Sequence, residues 1–205
     1  MERGKFFLIL GNMFAGKTEE LIRRLRKIEE FENKKVLVFK PKDDTRSKSG
    51  FLETARKDKF PAIEIESIFD VLKKLREEIF FSGKKPGVIA IDEIQFFPVP
   101  LEIYQVTDYL LENGYDVIVA GLKLNFRGEP FESSVILLGH VKNSSDLLIL
   151  NSCCSTCGKE AELPQRTIDG EPAKYTDKVK MVGGKESYQP RCRQDFVIRE
   201  KPPFA

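Results

Sequence analysis

No apolar run in this 205-residue chain approaches the roughly 20 residues that a membrane-spanning helix needs, so no membrane partner is expected. Neither sign of charge dominates: 34 basic residues face 32 acidic ones, for a formal net charge of +2. Proteins that live on nucleic-acid backbones usually carry a strongly positive domain, and nothing here demands that partner. The start, MERGKFFLILGNMF, lacks a small-residue cleavage site and runs straight into a glycine-rich loop. It reads as a first strand, not a secretion signal, and a cytoplasmic enzyme is expected. No cysteine occurs before Cys153; Cys153, Cys154, Cys157 and Cys192 all fall in the last quarter. In a reducing compartment such clustering suggests a metal more than disulfides. No internal repeat is visible.

What is present is ample for a packed core, with 41% hydrophobic residues and 16 Phe. The run KFFLIL from Lys5 to Leu10 reads as a buried strand. Leu21, Ile22, Leu25 and Ile28 then repeat at helical spacing over Thr18 to Phe31, and Val36 to Phe39 is the next strand. Residues 41 to 58 are polar and charged, either a lid or a solvated connection. Ile68 to Phe81 predicts a helix with Phe69, Leu72, Leu75 and Ile79 on one face. Val88 to Ile91 and Val117 to Leu122 predict strands, with a helix over Leu101 to Asn113 between them. The alternation predicts an α/β fold, a parallel sheet flanked by helices with ligands at the carboxyl ends of its strands. Beyond Leu150 the alternation stops, and Cys, Gly, Pro and charged residues take over. The expected division is an α/β domain over residues 1–150 and a small cysteine-rich domain over 151–205, although Leu147 to Leu150 could belong to either.

Gly11-Asn12-Met13-Phe14-Ala15-Gly16-Lys17-Thr18 has the spacing of a phosphate-binding P-loop. Its glycines let successive N–H groups point inward at phosphate oxygens, and the following helix adds the positive end of its dipole. Lys17 would neutralise the outer phosphates of ATP, and the Thr18 hydroxyl would hold Mg²⁺. Downstream, the apolar strand VIAID delivers Asp92 and Glu93 to its carboxyl edge. A P-loop enzyme needs a carboxylate there to organise Mg²⁺, the role read for Asp92. Glu93 could accept the proton of an attacking hydroxyl. In many ATPases the acid beside the metal-binding Asp activates water instead, so the pair implies phosphoryl transfer or hydrolysis without choosing the acceptor.

With these motifs placed, the chain resembles the thymidine kinases of the cytosolic and bacterial type. The likeness runs through GNMFAGKT and ELIRR, DDTR, DEIQFF, GLKLNFRGEPF, a Cys-x-x-Cys and VGGKESYQPRCR. It implies transfer of the γ-phosphate of ATP to the 5′-hydroxyl of thymidine by a homotetramer, with Glu93 as base. By the same resemblance Asp44, Thr45 and Arg46 reach the nucleotide phosphates, and Gln95 belongs to the nucleotide side. Met13 and Leu122 line the base pocket, and Phe126 packs against the nucleoside. Val179, Lys180, Met181, Val182, Gly183 and Tyr188 form a lasso that closes over it. Read without the resemblance, Phe126 and Tyr188 would be ordinary core residues.

Cys154 and Cys157 form a metal knuckle with Gly158, and Cys192 supplies a third thiol. Where the family pattern has a further Cys or His, this chain has Asp195. The favoured set for Zn²⁺ is Cys154, Cys157, Cys192 and Asp195, with Cys153 a competing fourth ligand. Other departures fall near the expected pocket: FLETARKD holds no His, Lys123 replaces a usual acid, and Pro164 stands where Thr is common. A related kinase acting on another nucleoside, a P-loop ATPase and a nucleotide sensor are the competing readings.

Overall fold

The computed structural model describes residues 2–45, 49–184 and 187–203. Strand β1 (Phe6–Gly11) leads through the glycine-rich loop into helix α1 (Lys17–Glu32), then β2 (Val36–Pro41). A hairpin, β3 (Phe51–Glu53) and β4 (Lys59–Pro61), precedes the short β5 (Ile63–Ile65). Helix α2 (Asp70–Ser82), β6 (Val88–Ile91), α3 (Pro100–Glu112) and β7 (Asp116–Leu122) follow. After α4 (Glu132–Leu137) comes β8 (Leu147–Leu150).

One six-stranded sheet results, in the order β5-β2-β6-β7-β1-β8, with every pairing parallel. Both faces are covered, as parallel sheets require, and this is why the strands read as near-continuous apolar runs. Ile9, Val38, Ala90 and Ile118 face Leu21, Ile22 and Leu25 of α1. Leu8, Phe39, Ile89 and Val117 look the other way, into a cluster with Leu75 of α2 and Leu110 of α3. In the register, Gly11 at the end of β1 lies beside Leu122 at the end of β7. Ile91, the last residue of β6, lies beside Val119 of β7. The glycine-rich loop and the acidic strand end therefore share one edge of the sheet.

Two expectations change, and one open placement is resolved. Phe69 is exposed, whereas Leu75 is buried with Ile68 and Val71, and Leu72 and Ile79 pack against the same cluster as expected. The polar stretch 41–58 is not one loop, since it contains β3 and the turn into β4. Leu147 to Leu150, which could have gone either way, pairs in parallel with β1 at the edge of the main sheet.

Beyond β8 the pieces are small: β9 (Ser152–Cys153), β10 (Glu160–Ala161), β11 (Leu163–Ile168), β12 (Glu171–Pro172) and β13 (Tyr188–Arg191). β11 pairs antiparallel with both β12 and β13, setting Arg166 opposite Tyr188 and Leu163 opposite Arg191. No helix among the described residues is long and apolar enough to cross a membrane.

Candidate nucleotide and substrate site

The glycine-rich loop is built by backbone conformations that few residues adopt. Gly16 sits at φ 82° and Phe14 at φ 61°, so the loop curls before α1 begins. Asn12 fixes the start of the curl: its side-chain oxygen accepts from the Met13 N–H at 2.8 Å. Its side-chain nitrogen donates to Ser152 Oγ and Ala161 O, both at 3.4 Å. Lys17 is buried and folds back across the loop, donating to Asn12 O at 2.8 Å.

Across the strand edge, Thr18 Oγ1 donates to Asp92 Oδ2 at 3.0 Å. Asp92 and Glu93 are both buried. Burial first, and the neighbouring charge of Glu93 second, push the Asp92 carboxyl up to about 7. A cation bound at this carboxylate would displace that proton, and Thr18 supplies a hydroxyl oxygen beside it. This donor pair fits a hard cation such as Mg²⁺. Glu93 has φ 55°, a strained conformation for a non-glycine residue. Gln95 Nε2 donates to Glu93 Oε2, and Gln95 Oε1 accepts from the Leu122 N–H at 3.0 Å.

Two cavities meet here and share Met13 and Leu122. The larger, about 690 Å³, is lined by the glycine-rich loop from Met13 to Thr18, by Asp44, Asp92 and Glu93, and by Leu52 to Arg56 of the β3–β4 hairpin. The smaller, about 40 Å³, is walled by Met13, Leu122, Phe126, Val179, Lys180, Met181, Gly183 and Tyr188. Tyr188 OH donates to Met181 O at 3.1 Å, closing the covering segment on itself. Lys180 Nζ ties that segment to Asp43 Oδ2 at 2.7 Å and Phe96 O at 2.9 Å.

Most residues singled out from the sequence thus converge on one place. Gln95, expected on the nucleotide side, lines the smaller cavity. Val182 lines neither cavity, and Thr45 is exposed and lines neither. Arg46 lies outside the described residues. Lys123 pairs with Glu162 at 3.6 Å and lines neither cavity, whereas Pro164 does line the smaller one. Leu124, Asn125 and Phe131 also line it and were missed. Their segment, LKLNFRGEPF, resembles the family but has no periodicity that marks a pocket wall.

At the far end, Cys154, Cys157, Cys192 and Asp195 bring one ligand atom each to within 4.8 Å of one another. Cys157 Sγ and Cys192 Sγ are 3.7 Å apart, and Asp195 Oδ2 lies 3.2 Å from Cys154 Sγ and 3.3 Å from Cys192 Sγ. Zinc–thiolate bonds of 2.3 Å in a tetrahedron put sulfurs about 3.8 Å apart, so the group fits Zn²⁺ in size and donor type. Gly158, at φ 73°, turns the knuckle so that its N–H reaches Cys154 O at 2.9 Å. Cys153 is exposed and outside the cluster, because it pairs with Glu160 in the β9–β10 hairpin.

A parallel α/β sheet with a Gly-x4-Gly-Lys-Thr loop beside a buried acidic strand end defines a P-loop protein of the phosphoryl-transfer kind. A family model described as thymidine kinase matches residues 4–196, and the chain belongs to that family, whose members are phosphotransferases acting on nucleosides. Among solved structures, domain III of the Thermotoga maritima replication initiation protein DnaA is similar at 15% identity and a TM-score of 0.41, over 72% of this chain and 55% of that one. The chain thus spans just over half the length of that structure, and a likeness so low carries no argument.

Proposed function

We propose that this chain transfers the γ-phosphate of ATP to the 5′-hydroxyl of thymidine. The observation that carries the reading is the junction of the two cavities at Met13 and Leu122: Glu93 lines the one beside the phosphate-binding loop and is bonded to Gln95, which lines the apolar, aromatic-walled one. An ATPase needs only the first cavity.

In this reading Lys17 and the loop N–H groups hold the outer phosphates, with Asp44 beside them. Thr18 and Asp92 hold Mg²⁺, which when bound neutralises charge on the phosphate oxygens. Phe126 and Tyr188 flank the base, and the segment 179–183 covers it. The substrate oxygen forms a bond to the γ-phosphorus as the bond to the bridging oxygen of ADP breaks. The hydroxyl proton passes to the Glu93 carboxylate. Gln95 holds one oxygen of that carboxylate. At about 40 Å³ the smaller cavity is far below the roughly 300 Å³ of a ligand pocket, so segment 179–183 must lift to admit a nucleoside.

We divide the chain after Leu150, assign the second part a Zn²⁺ that fastens the covering segment, and take the working form as a cytoplasmic homotetramer. Phosphorylation of a nucleoside panel with ATP and Mg²⁺ tests the reading. Thymidine should be the preferred acceptor. Preference for another nucleoside would implicate Pro164, the one departure from the family pattern that lines the pocket.

A further inference from the structure

Arg166 is among the largest fully buried side chains of the described residues, only 2% exposed. A buried guanidinium is a costly way to fill space, since an apolar side chain of similar volume often packs as well or better. Its contacts show what it connects. The guanidinium carbon lies 3.6 Å over the centroid of the Phe126 ring. Nη1 donates to Lys178 O at 2.6 Å, and Nη2 lies 3.9 Å from Asp177 Oδ2. Through its strand, Arg166 also stands opposite Tyr188. Nε has no hydrogen-bond partner among the described residues.

One side chain therefore touches the aromatic wall of the smaller cavity and the start of the segment that covers it, and its backbone pairs with the end of that segment. Phe126 lines the cavity and Arg166 does not. Whatever Arg166 does for the substrate, it does through Phe126, through Asp177 and Lys178, and through Tyr188. We infer that Arg166 is a positioning residue for the nucleoside: it presses Phe126 into the pocket by cation–π contact and fastens the covering segment at its root. The inference rests on the nucleoside kinase reading and adds to it a residue that bears on the acceptor and not on ATP. The planar guanidinium matters, because it can lie flat on the Phe126 ring while donating in its own plane to Lys178 O, and a compact ammonium cannot do both in one geometry.

The test compares Arg166→Met, Arg166→Lys and wild type in steady-state kinetics with ATP and thymidine varied in turn. Arg166→Met should raise KM for thymidine by about tenfold or more and leave KM for ATP within about twofold. Arg166→Lys should recover only part of the loss. In a Phe126→Leu background, Arg166→Met should cost much less than it does alone, because the two share one contact. If Arg166→Met does not hold its fold, the Lys variant and its cycle with Phe126→Leu decide the matter. Equal increases in both KM values, an unchanged thymidine KM, or additive effects with Phe126→Leu would each overturn the inference while the kinase reading stands. A wild-type chain that phosphorylates no nucleoside overturns the kinase reading and this inference with it.

Discussion

Replacing Glu93 by Gln isolates basicity from geometry at the centre of the site. The Gln95 side chain donates to a Glu93 oxygen, and an amide oxygen at the same place can still accept that bond. The hydrogen bonds of Asp92 with Thr18 Oγ1 and the residue-93 N–H do not involve the exchanged atoms. Loss of one buried negative charge also relieves Asp92, whose carboxyl Glu93 helps to push up. Folding and ATP binding should therefore survive. What is lost is the proton acceptor, worth about 10²- to 10⁴-fold in rate, or roughly 2.7 to 5.5 kcal/mol of barrier. The assay is kcat at saturating ATP and thymidine, with calorimetric binding of a non-hydrolysable ATP analogue as control. A fall of at least about a hundredfold in kcat with unchanged analogue affinity is expected. Near-normal kcat would remove Glu93 from the role, and equal losses of turnover and affinity would mean the change merely loosened the loop.

Three further outcomes follow from separate parts of the molecule. Lys17→Ala should abolish turnover and weaken ATP binding, since the γ-phosphate loses its main protein cation; persistent kinase activity would make the loop vestigial. Protein prepared without chelator should contain about one zinc per chain. Cys192→Ser should lose it and raise KM for thymidine more than for ATP, because Cys192 directly follows the strand that begins at Tyr188. Some effect on ATP is expected too, through the Asn12 bonds to Ser152 and Ala161; retained zinc or unchanged nucleoside binding would contradict the clamp. His140, the one histidine, is stacked on Tyr104 at 4.1 Å, and burial holds its imidazole below the ordinary 6.5. Unfolded chains then bind the proton more readily than folded ones, so this contribution to stability is present above about pH 6.5 and is lost as pH falls through the lower folded value. His140→Phe should flatten the melting temperature over that window; an unaltered pH profile would refute the assignment.

The parts of this protein that were legible in its sequence are those where function or packing is written in adjacent residues. The glycine-rich loop and the acidic end of β6 are local spacings, and the buried strands are short apolar runs. Strand β5 is three residues long and β8 is four, too short to carry a period, and their place depends on β2 and β1 beside them. Phe69 fell outside the buried face because that face runs through Ile68, Val71 and Leu75, and the residue after Ile68 points about 100° away from it. The knuckle was visible as Cys-x-x-Cys and Asp195 was already the favoured fourth ligand; what the sequence left open was Cys153, which lies in the β9–β10 hairpin outside the cluster. Gln95 was expected on the nucleotide side yet lines the smaller cavity, and Arg166 was not singled out at all. Each works by bridging segments far apart in the chain, and nothing within LPQRTI marks its arginine as buried.

The central claim is that ATP is consumed only as a nucleoside is phosphorylated. Purified protein with Mg²⁺ and ATP should release ADP in quantity only when thymidine is added, with one thymidine 5′-monophosphate formed for each ADP. Rapid ADP release without any nucleoside, or release that thymidine neither accelerates nor matches in product, would contradict the account.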